Sequence, residues 1–97
     1  MKQVYKITYA TEKIHIGKDS VESHRCFGSH DMEIINADFL SLSEEVRKDY
    51  TIRKQILWES ETASEEELSS KEVEFIRQYQ SNNPLFGYNR WAKLKNL

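Results

Sequence analysis

The chain has 97 residues, of which 38% are hydrophobic and 31% charged, with a mean hydropathy of -0.75. This describes one small polar domain with a single modest core and no room for a second. No apolar run approaches the roughly 18 to 20 residues that cross a bilayer, and the N-terminus lacks the order of a signal peptide, so the expectation is a soluble, cytoplasmic protein with no membrane partner. Cys26 is the single cysteine, which excludes an internal disulfide and a multi-thiol zinc knuckle.

The formal charge of -2 excludes a polycation, but it is unevenly spread. Residues 1–30 carry five bases and three acids, 31–60 four and seven, 61–81 two and six, and 82–97 three and none. The ends are basic and the middle is acidic.

Residues 3–9 are rich in β-branched and aromatic types and alternate so that Tyr5, Ile7 and Tyr9 share a face, which predicts a strand. A second strand over 13–17 follows after a few residues, so the two form an antiparallel hairpin. A loop centred near Ala10 sets Tyr5 opposite His15; any odd-numbered loop puts the two on one face, and an even-numbered loop pairs Tyr5 with Ile14 and Ile16 instead. Residues 18–29 read as a loop punctuated by glycine and serine. Ser29 is placed to cap a helix whose Met32, Ile35 and Phe39 fall on one side, and 43–49 adds a further helical turn. Residues 50–58 alternate with Ile52, Ile56 and Trp58 on one face and predict a third strand.

The strongest local signal is Ser64-Glu65-Glu66-Glu67, a capping box with acids where the helix dipole favours them. It opens a helix over about 65–81 whose stripe runs Leu68, Glu72, Phe75, Ile76 and Tyr79, so a carboxylate occupies a position the period assigns to the buried face. Asn82-Asn83-Pro84 stops it. The expected fold is α/β (α+β), a mainly antiparallel sheet of three strands flanked by helices, spanning 1–97 as one domain. Glu72 is the first candidate for chemistry, since a buried carboxylate needs a hydrogen bond, a cation or a metal. Tyr5 with His15 is the second.

Val4-Tyr5-Lys6-Ile7, then Lys13-Ile14-His15-Ile16-Gly17, then a helical Glu72, then Gly87-Tyr88-Asn89 together resemble the GIY-YIG nuclease family over nearly the whole chain. The resemblance implies a metal-dependent DNA endonuclease hydrolysing phosphodiester bonds. Tyr5 matches the tyrosine of the first motif half and would manage the proton of the attacking water, and Gly17 matches the glycine of the second half. His15 stands where the family usually has a second tyrosine; an imidazole titrates near about 6.5 against about 10 for a phenol and suits the same task. Val4 departs from the Gly-Ile that usually precedes the first tyrosine. Arg25, eight residues after Gly17, matches the arginine that holds the scissile phosphate, with Arg53 as the fallback. Glu72 matches the glutamate that is the sole protein ligand of one Mg²⁺ or Mn²⁺ ion. Asn89 matches a late asparagine that orients the glutamate or the backbone around it, and Gly17, Lys18, His30 and Arg90 complete with it the substrate-binding set. Lys6, Lys13, Lys93 and Lys95 extend a basic surface if the two ends meet. DNA is the expected partner, with a homo-oligomer or a separate specificity protein supplying selectivity. The competing expectation is a catalytically silent relative that binds nucleic acid or a protein.

Overall fold

A computed structural model describes residues 1–19 and 32–89 of the chain. Their elements run β1 (Lys2–Thr8), β2 (Ile14–Asp19), α1 (Met32–Leu40), α2 (Glu44–Lys48), β3 (Arg53–Ser60) and α3 (Glu65–Tyr79). The three strands form one antiparallel sheet, as the patterning predicts, and their order is β2-β1-β3. Ser29, offered as the cap of α1, lies outside the described residues.

The hairpin closes through a tight loop in which the Tyr9 N–H donates to the Lys13 carbonyl at 3.0 Å and the Glu12 N–H to the Tyr9 carbonyl at 2.8 Å. Glu12 takes a left-handed conformation with φ 70°, which ends the turn and feeds the chain into β2. The loop is therefore Ala10-Thr11-Glu12, odd in number but centred on Thr11. That shift corrects the expected register: Tyr5 opposes Gly17, and His15 opposes Ile7. Tyr5 and His15 share a face as diagonal neighbours and are not directly opposite.

β3 also departs from expectation. It begins at Arg53 and ends at Ser60, and its register against β1 shifts between Val4 and Tyr5: Tyr5 opposes Ile56 whereas Val4 opposes Trp58. Leu57 is thus one residue too many, a β-bulge that breaks strict alternation. Ile56 falls on the Tyr5 face and is 40% exposed, while Leu57 and Trp58 both pack on the other side, against α3. The expected common face of Ile52, Ile56 and Trp58 does not exist.

Two half-cores result. Val4 and Ile16 on one face of the sheet pack with Leu68 and Ile76 of α3, flanked by Ile14, Leu57, Trp58, Phe75 and Tyr79. Tyr5, Ile7 and Tyr9 on the other face pack with Ile35 of α1 and with Tyr88. Each fully buried aliphatic here contributes on the order of 1.5–3 kcal/mol. α3 starts as predicted, with the Ser64 hydroxyl accepting from the Glu67 N–H at 3.1 Å. It ends earlier than proline would force, at Tyr79, because Gln80 turns left-handed with φ 56° and closes the last turn.

Beyond α3 the chain returns to the outer edge of β2. The Ile14 N–H donates to the Phe86 carbonyl at 3.1 Å and the Tyr88 N–H to the Ile14 carbonyl at 2.9 Å, a parallel bridge between Ile14 and Gly87. A Cβ at Gly87 would lie 2.5 Å from the Ser81 Cα and 2.8 Å from the Ile14 carbonyl oxygen, so only glycine allows the chain this close to the strand. The C-terminal segment, as far as Asn89, therefore meets the hairpin. No helix among the described residues is long and apolar enough to cross a membrane.

Candidate functional site

Tyr5 is fully buried, and its ring crosses the hairpin to end over Gly17. A Cβ built on Gly17 would lie 2.5 Å from the Tyr5 Cζ and 2.8 Å from Cε1, and would also meet the hydroxyl oxygen. The lack of a side chain at Gly17 is thus what lets the phenol end reach β2. On its other side the ring carries the Lys54 ammonium, 4.5 Å from the centroid, a cation–π contact. His15 sits two residues from Gly17 on the same face and is 6% exposed, with its Nδ1 buried.

Glu72 comes from the opposite side. It lies between Leu68 and Ile76 on the buried stripe of α3, is 5% exposed, and its Oε1 is buried without a hydrogen-bond partner among the described residues. Burial pushes its carboxyl above the ordinary carboxylate range, and the nearby Lys18 ammonium pulls the other way. Lys18 itself donates to the Ser69 hydroxyl on α3 at 2.7 Å. The helix that supplies Glu72 covers the Val4 and Ile16 face, whereas Tyr5 and His15 belong to the other face. The phenol and the carboxylate therefore approach the same stretch of the edge strand, Gly17-Lys18, from its two faces.

Asn89 fixes that stretch. Its side-chain Oδ1 accepts from the Ile16 N–H at 2.8 Å, and its Nδ2 donates to the Ile16 carbonyl at 2.8 Å. One amide group thus does for β2 what the backbone of a neighbouring strand would do, satisfying both polar groups of the residue before Gly17. Asn89 is 7% exposed and acts on backbone, which makes it a positioning residue. Asn89→Ala orphans a buried N–H and a buried C=O together, and is expected to lower stability by about 2 kcal/mol in urea unfolding. Asn89→Gln, one methylene longer, should recover little of it.

A further polar cluster, which the sequence did not signal, stands at the hairpin tip. The Tyr88 hydroxyl donates to the Asp38 Oδ2 at 2.9 Å and shares a hydrogen bond with the Thr11 hydroxyl at 2.8 Å. Lys13 Nζ pairs with the same Asp38 oxygen at 2.9 Å. The Lys13 hydrogen bond holds the Asp38 carboxyl below its usual value, while burial pushes the Tyr88 phenol up to about 12. Tyr9, also pushed up to about 12 by burial, meets Tyr88 edge to face with centroids 5.5 Å apart. The cluster ties α1, the hairpin loop and the C-terminal segment together.

The basic residues expected to face DNA are partly committed elsewhere. Lys13 is paired with Asp38, Lys6 lies over the Tyr79 ring at 4.8 Å, and Lys18 is bound to Ser69. Arg53 is exposed at the start of β3 opposite Thr8, on the face away from Tyr5. Arg25, His30, Arg90, Lys93 and Lys95 lie outside the described residues. The sheet divides the candidate residues: Tyr5, His15 and Gly17 stand on one face and Lys18 and Glu72 on the other, and Asn89 holds the strand between them.

Among the described residues no three His, Cys, Asp or Glu side chains gather into a metal-binding group. The donor set at Glu72 is one carboxylate with one oxygen that no described residue partners, which fits a hard cation that keeps water and phosphate oxygens as its other ligands. Family models, curated proteins and solved structures all returned no match to the chain.

Proposed function

We propose that the protein is a single-metal phosphodiesterase acting on DNA, built as a small relative of the GIY-YIG nucleases. The observation that carries the reading is Glu72, a carboxylate buried on an apolar helix stripe with an oxygen that has no hydrogen-bond partner among the described residues, near the Lys18 that follows the Gly17 met by the Tyr5 hydroxyl on the other face. A fold maintains such a group against its desolvation cost when a ligand is to complete it. Glu72 would hold Mg²⁺ or Mn²⁺, which when bound supplies Lewis-acid polarisation of the phosphate and stabilisation of the leaving oxygen.

The chain's own residues divide the remaining work. Tyr5 and His15 accept the proton of the attacking water at the phenol oxygen or a ring nitrogen. Lys18 offers its ammonium to a phosphate oxygen, releasing Ser69 as it does so. Asn89 holds the backbone of Ile16 and so the height of Gly17. Arg25 is assigned the scissile phosphate by the family likeness alone.

A second reading, a catalytically silent relative that binds nucleic acid or a partner protein, is favoured by one observation: Tyr5 is 0% exposed and His15 6%, on the face opposite the carboxylate. Supercoiled plasmid incubated with Mg²⁺ or Mn²⁺ separates the two. The wild-type protein relaxes or linearises the plasmid, Tyr5→Phe slows it, and Glu72→Ala stops it. Activity that survives Glu72→Ala, or its absence in the wild type with both metals, rules out the nuclease and leaves the silent module.

A further inference from the structure

The two edges of the sheet are finished differently. The outer edge of β2 is closed by the chain itself, through the Ile14–Gly87 bridge and the Asn89 amide on Ile16. β3 is the opposite edge, and among the described elements β1 alone lies along it. Residues 55–60 make no backbone hydrogen bond outside the β1 ladder among the described residues. Such an edge is a template for a further strand unless its side chains forbid one.

The side chains of β3 forbid most strands and fit one. The strand opens on Arg53-Lys54 and closes on Glu59-Ser60. A copy laid parallel sets base on base and acid on acid, whereas an antiparallel copy sets the basic end of each on the acidic end of the other. The bulge sharpens the match. Lys54 and Glu59 are an odd number of residues apart and would lie on opposite faces of a regular strand. With Leu57 inserted, both fall on the Tyr5 face: Lys54 stands opposite Ile7 with its ammonium over the Tyr5 ring, and Glu59 stands opposite Gln3, from whose amide it accepts at 3.3 Å. A two-fold axis perpendicular to the sheet, passing between Ile56 and Leu57, therefore sets Lys54 of each copy against Glu59 of the other on one face. A slip of one residue either way sets Lys54 against a side chain of the opposite face, Trp58 or Ser60. Between the two ion pairs lies Ile56, on the same face and 40% exposed, and it meets its own mate across the axis.

We propose that the protein forms a two-fold dimer in which the β3 strands of two copies pair antiparallel and join the sheets into one of six strands. The surface is self-complementary, as an isologous interface requires: the residue that gives the cation on one side gives the anion's partner on the other. The charges that keep foreign strands off the edge are the same ones that select a second copy. A net charge of -2 leaves little repulsion between copies. One strand pair with its flanking side chains is small beside the roughly 1,600 Å² of a standard interface, so the dimer is reversible and concentration-dependent. Lys54, Ile56 and Glu59 take no part in the nuclease reading, and the dimer stands or falls independently of it.

Analytical ultracentrifugation of the whole chain from about 5 to 500 µM tests the proposal. The weight-average mass of the wild type should climb from the 11.5 kDa of one chain toward twice that value, and added salt should weaken the association. Glu59→Lys sets lysine against lysine at both ends of the interface and should weaken dimerisation at least tenfold. Lys54→Glu combined with Glu59→Lys rebuilds both pairs in reverse and should restore it. Ile56→Asp puts two like charges at the axis and should hold the chain monomeric throughout the range; at 40% exposure the site accepts the change in the single chain. Circular dichroism melts at the lowest concentration confirm that each variant is folded. A wild type that stays monomeric at the highest concentration overturns the proposal. So does association that persists equally in Glu59→Lys and Ile56→Asp, which places the contact elsewhere on the molecule, or a folded charge-swap variant that associates no better than Glu59→Lys.

Discussion

Glu72→Met is expected to stabilise the fold by about 1–2 kcal/mol at neutral pH while removing metal-dependent cleavage altogether, a rate loss of roughly a thousandfold or more. The two effects share one cause. Glu72 is 5% exposed among Leu68 and Ile76, with one carboxylate oxygen unpartnered among the described residues, so the folded protein carries the cost of a desolvated charge that a thioether of similar length does not incur. For a domain of this size the gain reads as a rise in melting temperature of about 4–16 °C. A residue kept for packing would behave oppositely, and Glu72→Met would then be neutral or harmful.

The same group makes stability depend on pH with a defined sign. Burial raises the folded-state pKa of Glu72 above the ordinary value of 4.5. Between that value and the raised one, the folded chain holds a proton that the unfolded chain has released, so stability falls as pH rises through this window and levels off above the folded pKa. Glu72→Gln lacks the titration. Its stability relative to wild type, from urea midpoints between about pH 4 and 8, should therefore grow with pH. A constant difference would mean that the carboxylate is compensated in the fold.

Gly17→Ala has the second largest expected effect, a loss of about 3 kcal/mol. The added methyl carbon would fall 2.5 Å from the Tyr5 Cζ, and neither side gives way easily. Gly17 is held in the β1–β2 ladder opposite Tyr5, the strand beside it is clamped by Asn89, and Tyr5 is fully buried. The cost should be specific to that contact: in a Tyr5→Ala background, Gly17→Ala should be nearly neutral, and the double-mutant cycle should return a coupling of about 2–3 kcal/mol. Additive effects would show that Gly17 is required by its own backbone rather than by the phenol. Where activity is measured, Gly17→Ala should also lower it beyond the loss of folded protein, because the hydroxyl is forced off the edge strand.

What could be read from the sequence follows from which features leave a periodic trace. The capping box at Ser64, the stripe through Leu68, Glu72 and Ile76, and the aromatic alternation of β1 are repeating patterns, and the structure carries them. The hairpin register is set by a loop whose left-handed residue is Glu12 rather than glycine or asparagine, so no residue type marks the turn and its centre is displaced by one. The bulge at Leu57 is a single inserted residue inside an apolar run, which looks the same in composition whether or not it is paired. It decides the geometry nonetheless, sending Trp58 to α3 and leaving Ile56 in solvent. Asn89 is similar: by itself a lone asparagine after Gly-Tyr reads as a turn, only the family likeness points to backbone, and its role as a strand surrogate exists only once the C-terminal segment has folded back on Ile16. Lys18 beside Glu72 and the Asp38 cluster are long-range pairs, with no spacing to betray them.

Calorimetric titration of Mn²⁺ into the wild-type protein and into Glu72→Gln, each with an unlabelled 12-mer DNA strand at 4 °C to suppress cutting, tests the central claim most directly. Metal ligation by Glu72 predicts one saturable site per chain in the wild type, absent from Glu72→Gln, with proton release that increases as the buffer is taken down toward the raised carboxyl pKa. Equal titrations for the two proteins, or no saturable heat in either, would contradict it.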